Sequence, residues 1–174
     1  GRIGAQDGAE LPPTFNWPYE RAIALMAGGP GALLKAVENA EDSLTAAAES
    51  LDTLGVNASD AVIGIAASGN TPYVTAGLEH ARQKGALTVG IINNPGGAVG
   101  KAAEIEVLLA TGAEFLAGST RMKAGTAQKV ALNVISTGVM IRLGYVYRGL
   151  MVEMRPTNAK LRERAVRMVM ELTG

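Results

Sequence analysis

The sequence of 174 residues contains no cysteine and a single histidine, His80. The absence of cysteine excludes a disulfide framework, a thiolate zinc site and a cysteine nucleophile. One histidine argues against a Ser-His-Asp triad and against a multi-histidine metal site. Any chemistry must therefore rest on carboxylates, lysines, hydroxyls or backbone donors.

Aromatic residues make up only 4% of the chain, whereas glycine occurs 22 times. This composition is typical of close-packed α/β layers rather than of a β-sandwich. The 16 basic and 16 acidic residues balance, so no excess charge indicates a nucleic acid or an anionic membrane as partner. No apolar run approaches the roughly 20 residues that cross a bilayer, and no signal peptide is visible. The length predicts one domain over residues 1–174.

Two continuous apolar runs, at residues 60–67 and 87–92, are typical of parallel strands that are covered on both faces. Residues 71–84 between them predict a crossover helix. The other predicted elements are strands at 21–26 and 105–110 and helices at 31–54, 122–143 and 157–172. This order predicts an α/β fold of three layers, with a mostly parallel sheet and helices on both faces. A ligand site is expected outside the carboxyl ends of the strands.

The strongest local motif is AASGNTP at residues 66–72, where the first of these strands meets the crossover helix. Ser68, Gly69 and Thr71 lie at the predicted helix N-terminus, whose free N–H groups and partial positive charge suit a phosphate monoester. Glycine lets an anion approach the backbone closely. Thr71 is also a good N-cap residue, and capped turns are common. The pattern alone leaves both interpretations open.

A related motif, GSTRMKAGT at residues 118–126, precedes the next long helix. Its hydroxyls and cations, among them Ser119 and Lys123, can hold a second part of a polar ligand. Its alanine and glycine residues suit close helix packing equally well. For the motif taken alone, packing is the favoured interpretation.

Two carboxylates stand out by position. Glu10 precedes Pro12-Pro13, which we expect to end any helix and to hold the acid on a rigid loop. Glu41 falls about 80° from Leu33 on the predicted helix at 31–54, at the edge of its apolar stripe. Partial desolvation there would raise its pKa and make it a better general acid. For both residues, an ordinary surface acid is the alternative that the pattern by itself favours.

Taken together, four segments resemble the N-acetylmuramic acid 6-phosphate etherase family. This family is a branch of the sugar-isomerase (SIS) fold that also includes the glucokinase regulatory protein. The segments are AELPPTF at 9–15, AVENAEDS at 36–43, VIGIAASGNTPYV at 62–74 and GSTRMKAGTAQK at 118–129. The resemblance runs almost from end to end of the chain, and the last segment is long and characteristic.

The resemblance implies an activity: removal of D-lactate from N-acetylmuramic acid 6-phosphate by elimination and hydration, without a metal or redox cofactor. Glu10 and Glu41 match the two family carboxylates. Ser68, Gly69 and Thr71 match the ligand loop, and Ser119 and Lys123, in the last of the four segments, are further candidates for substrate binding. The family also implies a cytoplasmic homodimer, since SIS-type enzymes complete their sites across a dimer interface. The apolar helix predicted at 122–143 suits such burial.

The chain departs from the family pattern in three places. Leu11 stands where family members usually carry cysteine, which should not abolish the chemistry. Of the upstream strand and the phosphate loop ending in Ser-Gly-Arg, only Gly1-Arg2 match, and a C-terminal helical region is not matched. We therefore expect these 174 residues to lack part of the phosphate site, which weakens the case for their activity as an enzyme. One alternative is a regulatory SIS module that binds a sugar phosphate and needs no pair of acids. Another is an aldose–ketose isomerase, which fits the scaffold but not the four segments.

Overall fold

The structure, a computed structural model, describes all 174 residues. The chain forms two compact units. The sheet unit comprises residues 1–4 and 25–130, and the helical unit comprises residues 5–24 and 131–174. The helices are α1 Arg2–Phe15, α2 Ala46–Leu54, α3 Pro72–Gln83, α4 Ala98–Ala102, α5 Lys123–Arg142 and α6 Ala159–Thr173. None of them combines the length and the apolar character that crossing a membrane requires.

The sheet has three strands, β1 Ala61–Ala66, β2 Leu87–Ile92 and β3 Ile105–Leu108. They lie in the order β1-β2-β3, and both pairs are parallel. The predicted adjacent parallel strands and the crossover helix between them, α3, are therefore confirmed. Parallel strands place their carboxyl ends at one edge of the sheet, so the loops after β1, β2 and β3 share that edge.

Glycines let the helices approach one face of the sheet. A Cβ at Gly64 would lie 2.6 Å from Leu78 of α3, and one at Gly90 would lie 2.9 Å from the Val99 carbonyl of α4. Leu78 and Val99 are 1% and 0% exposed, respectively, in the largest core cluster. On the opposite face, a Cβ at Gly4, near the beginning of α1, would lie 3.2 Å from Ile65 Cδ1. The predicted α/β fold with a parallel sheet and helices is confirmed.

The predicted strand at 21–26 is wrong. Its first residue ends a 3-10 turn at Tyr19–Arg21, and the remaining residues pair with no strand. Leu25 instead packs against a second core cluster that contains Leu51 and Ala81. A short apolar run can meet a core without joining a sheet, which periodicity does not distinguish.

The predicted single helix at 31–54 is also wrong. Only its last part is α-helical, as α2, while Pro30–Leu33 and Ala40–Asp42 form 3-10 turns and Asn39 has a φ of 58°. Helices in proteins gain most of their stability by burying an apolar face. Leu34 and Val37 are 89% and 48% exposed, so no such face is buried along this part of the chain.

The expectation that the double proline ends any helix is wrong. The helix α1 continues through Pro12 and Pro13 to Phe15. The two prolines cannot donate to the carbonyls four residues earlier. Pro12 and Phe15 are buried, and the Asn16 N–H closes the last turn on the Pro12 carbonyl at 2.9 Å. Tertiary packing therefore outweighs the two missing hydrogen bonds, and Glu10 lies on a helix rather than on a loop.

The helical unit contains the second part of α5 and all of α6. Asp7 accepts hydrogen bonds from the side chains of Asn133 and Ser136. Trp17 packs edge-on against Tyr145 at a ring separation of 5.6 Å. The helices predicted at 122–143 and 157–172 are confirmed as α5 and α6.

Candidate sugar-phosphate site

Two loops meet at the carboxyl edge of the sheet, one after β1 and one after β2. The Val99 N–H donates to the carbonyl of Gly69 at 2.9 Å, and a Cβ at Gly97 would collide with that same carbonyl oxygen. Gly69 is buried and has a φ of +77°, a backbone conformation that is unfavourable for residues with a side chain. The two glycines thus permit a close contact that fixes the loop after β1.

Asparagine side chains complete this contact. Asn94 Nδ2 donates to the Ala67 carbonyl at 2.8 Å, and Asn70 Oδ1 accepts from the Ala98 N–H at 3.0 Å. The sequence motif did not single out Asn70 or Asn94 as structural residues. Their occurrence directly after strands, where side-chain amides commonly fix turns, was the available signal.

Ser68 is exposed in this loop. Its Oγ accepts a hydrogen bond from the Asn70 N–H at 3.2 Å. A serine hydroxyl that accepts one hydrogen bond still has its own proton to donate. The exposed Ser68 hydroxyl can therefore donate to an anion while the hydrogen bond from the Asn70 N–H fixes the position of its Oγ.

Thr71 precedes α3 but forms no side-chain cap. The Val74 and Thr75 N–H groups donate to the Thr71 carbonyl, Pro72 has no N–H, and the N–H groups of Thr71 and Tyr73 find no acceptor within the chain. The capped-turn alternative therefore lacks its hydrogen bond. The start of α3 keeps free donors and the positive end of a 12-residue helix.

A buried pair of amides fixes the start of α5 at the same edge of the sheet. Gln128 Nε2 donates to Asn93 Oδ1 at 2.8 Å, and Asn93 Nδ2 donates to the Leu109 carbonyl at 3.0 Å. Gln128 and Asn93 are 5% and 6% exposed. Because unsatisfied buried amides are costly, this arrangement ties α5 to the ends of β2 and β3.

The start of α5 is capped by a carboxylate of the chain itself. Glu114 accepts from the Lys123 N–H at 3.0 Å and from the Ala124 N–H at 2.9 Å. These two backbone hydrogen bonds hold the pKa of Glu114 below its usual value. The Lys123 ammonium donates to the Ala113 carbonyl at 2.7 Å, and Ser119 is half-buried in the preceding loop. A ligand here would have to be bound by side chains, because Glu114 occupies the first helical N–H groups.

An open cavity of about 710 Å³ lies beside this helix start. Its lining contains two cations, two threonines and no acid: Thr111, Arg121, Met122, Lys123, Thr126 and Ala127. Arg121 is exposed and forms no hydrogen bond or ion pair within the chain.

The two candidate carboxylates belong to different units. Glu41 lies in the sheet unit, in the 3-10 turn Ala40–Asp42, which packs against α3. Glu41 is exposed, so the partial desolvation expected from the helix at 31–54 is not present. Glu10 lies in the helical unit and is exposed on α1. Within the sheet unit, the structure brings Ser68, Gly69 and Thr71 to the same sheet edge as the segment of Ser119 and Lys123.

The parallel α/β sheet with loops at its carboxyl edge is the fold expected of a SIS-type domain, and residues 1–82 match the family model of the glucokinase regulatory protein N-terminal SIS domain. Over all 174 residues the chain is 55% identical to the N-acetylmuramic acid 6-phosphate etherase of Cronobacter sakazakii. It is 53% identical over the same length to the etherases of Salmonella schwarzengrund and Salmonella paratyphi A. The chain is thus homologous along its whole length to the N-acetylmuramic acid 6-phosphate etherases, and the resemblance seen in the four segments is confirmed. It spans 59% of the length of these relatives.

Proposed function

We propose that this protein cleaves the D-lactyl ether of N-acetylmuramic acid 6-phosphate to N-acetylglucosamine 6-phosphate and D-lactate. The observation that supports this proposal most strongly is that the whole chain is 53–55% identical to proteins named for that activity. The loop from Ser68 to Thr71 supports it, because its outward hydroxyl and free N–H groups suit a phosphate monoester. We further propose that one domain over residues 1–174 carries this site.

In the proposed mechanism, Ser68, Gly69 and Thr71 bind the 6-phosphate or the adjoining sugar oxygens. Ring opening exposes the C1 aldehyde, which acidifies the proton at C2. The Glu10 carboxylate takes that proton, and the C2–H electron pair is first delocalised into the C1 carbonyl as an enolate. It then forms the C2–C3 double bond as the C3–O bond breaks. Glu41 protonates the departing lactyl oxygen. Water then adds at C3 and a proton returns to C2, which gives the product sugar.

The assignment of the two carboxylates can be exchanged, because elimination and hydration use each acid in both directions. Support for the pair comes from their match to the family segments and from their exposure, which leaves both carboxylates accessible to a ligand. The turn that holds Glu41 also packs against α3, whose N-terminus carries the proposed phosphate loop.

A regulatory SIS module is the second candidate, since the family model that matches residues 1–82 is that of a regulatory protein domain. Incubation of the protein, as its gene encodes it, with N-acetylmuramic acid 6-phosphate separates the two functions. We expect stoichiometric release of D-lactate, measured with D-lactate dehydrogenase. Tight binding of the sugar phosphate without any lactate would instead establish the regulatory function.

We also propose that the protein is a cytoplasmic homodimer, with the reaction serving recycling of cell-wall amino sugars. The support for assembly is the exposure of apolar side chains on the part of α5 in the helical unit, where Val134 and Ile141 lie at helical spacing. A second copy of the chain can bury these side chains across a two-fold axis. Light scattering should give twice the monomer mass at micromolar concentration, and a strictly monomeric mass would contradict the proposal.

A further inference from the structure

The cavity beside the start of α5 has no role in the mechanism above. Arg121 and Lys123 contribute two positive charges to its lining, and Thr111 and Thr126 contribute hydroxyls, while no acid lines it. Arg121 has no partner within the chain. An unpaired guanidinium beside an ammonium in an open cavity is suited to an anionic ligand.

This cavity and the loop of Ser68 lie at the same edge of the sheet. Ser68 follows β1 and Thr111 follows β3, with β2 between these strands. Neighbouring strands lie about 4.8 Å apart, so the ends of β1 and β3 are separated by roughly 10 Å. The hydrogen bonds from Gln128 to Asn93 and from Asn93 to Leu109 hold the start of α5 at this edge. The loop of Ser68 and the cavity at the start of α5 are therefore close enough to bind two anionic groups of one sugar.

The two places differ in the donors that they offer. At α3 the free donors include backbone N–H groups, whereas at α5 Glu114 already occupies the N–H groups of Lys123 and Ala124. A ligand in the cavity would therefore have to be bound by side chains. A guanidinium presents two parallel N–H donors whose spacing matches the two oxygens of a carboxylate.

We propose that Arg121 and Lys123, assisted by the Thr126 hydroxyl, bind the carboxylate of the lactyl group. This assignment rests on the proposed function, in which the substrate carries a phosphate at C6 and a lactyl ether at C3. The product N-acetylglucosamine 6-phosphate retains the phosphate and has lost the carboxylate. The cavity thus recognises the group that distinguishes substrate from product, and the carboxylate leaves with D-lactate.

The test is Arg121→Gln in the protein as its gene encodes it, with binding of substrate and product sugars measured by calorimetry and with KM for lactate release. A hydrogen-bonded ion pair predicts about a tenfold to hundredfold weaker binding of N-acetylmuramic acid 6-phosphate, with a matching rise in KM. Binding of N-acetylglucosamine 6-phosphate should stay unchanged. Arg121→Lys, which keeps the charge but loses the paired donors, should give an intermediate loss.

Arg82→Gln is the matched control, because Arg82 is an exposed arginine that lines a separate cavity with Glu79 and Lys101. It should bind both sugars as the wild type does. Equal weakening of both sugars by Arg121→Gln would overturn the proposal and assign the cavity to the phosphate, and no weakening of either would also overturn it. If the wild type releases no lactate but Arg121→Gln selectively weakens the lactyl sugar, the proposed activity fails while the carboxylate site stands.

Discussion

Two helix starts, those of α3 and α5, lie at the same edge of the sheet and follow similar sequence motifs. Each is preceded by a glycine, a serine and a threonine. At α3 no side chain caps the helix, and the Tyr73 N–H has no acceptor within the chain. At α5 the Glu114 carboxylate accepts from two backbone N–H groups.

This difference shows that a hydroxyl-rich motif before a helix does not by itself define an anion site. A negatively charged cap neutralises the positive helix end and occupies the donors that an anion would use. This comparison supports our proposals that α3 is the phosphate-binding helix and that the cavity at α5 binds through Arg121 and Lys123. The predictions below test this division.

The largest expected effect comes from breaking the glycine contact that shapes the α3 start. In Gly97→Ala, the new Cβ would overlap the Gly69 carbonyl, which the backbone cannot avoid without moving the loop. We expect a loss of about 1–3 kcal/mol in the free energy of unfolding in urea, as in other overpacked sites. Gly31→Ala is the control, because no atom lies within 4 Å of its added Cβ. Equal stability of the two variants would show that the contact is not tight.

The next effect, of similar size but measured in ligand binding, is expected from Ser68→Val. The variant removes the outward hydroxyl and the acceptor for the Asn70 N–H. Binding of either sugar phosphate should weaken by about 1–3 kcal/mol, the cost of a buried hydrogen bond left unmade. Calorimetry with N-acetylglucosamine 6-phosphate measures this directly. Unchanged affinity would mean that Ser68 only shapes the turn.

The smallest effect concerns the cap of α5. The backbone N–H groups of Ala124 and Lys123 lower the pKa of Glu114 from the ordinary 4.5, so the folded state favours the carboxylate. The resulting stabilisation is complete above pH 4.5 and is lost as the pH falls through the lowered folded-state pKa. Glu114→Gln should therefore be less stable than the wild type at pH 7, and the difference should shrink towards pH 3. Urea unfolding across this range measures it, and a constant difference would contradict a charged cap.

Much of the sheet edge could be predicted from local sequence. The continuous apolar runs of β1 and β2 predicted buried parallel strands, and the segment at 71–84 predicted the crossover helix α3. These features depend on residues close together in the chain, which is why pattern and propensity sufficed.

The failures and omissions depend on distant contacts. The apolar spacing at 31–54 predicted one helix, but no partner covers Leu34, and helix stability follows burial rather than spacing. The hydrogen bond between Asn93 and Gln128 joins residues 35 apart, and the cap from Glu114 reaches Lys123 nine residues later. No local pattern indicates such pairs. The match of Glu10 and Glu41 came from the family resemblance, and their roles stay predictions.

The most direct test of the proposed chemistry follows the C2 proton in deuterated water, with the substrate and the protein as its gene encodes it. The wild type should release D-lactate and incorporate solvent deuterium at C2. Glu10→Gln, which keeps the size and exposure of the side chain, should retain its fold by circular dichroism and lose both lactate release and deuterium incorporation. Glu41→Gln should still exchange the C2 proton but release lactate much more slowly. Near-normal exchange in Glu10→Gln would show that Glu10 is not the base and would contradict the mechanism.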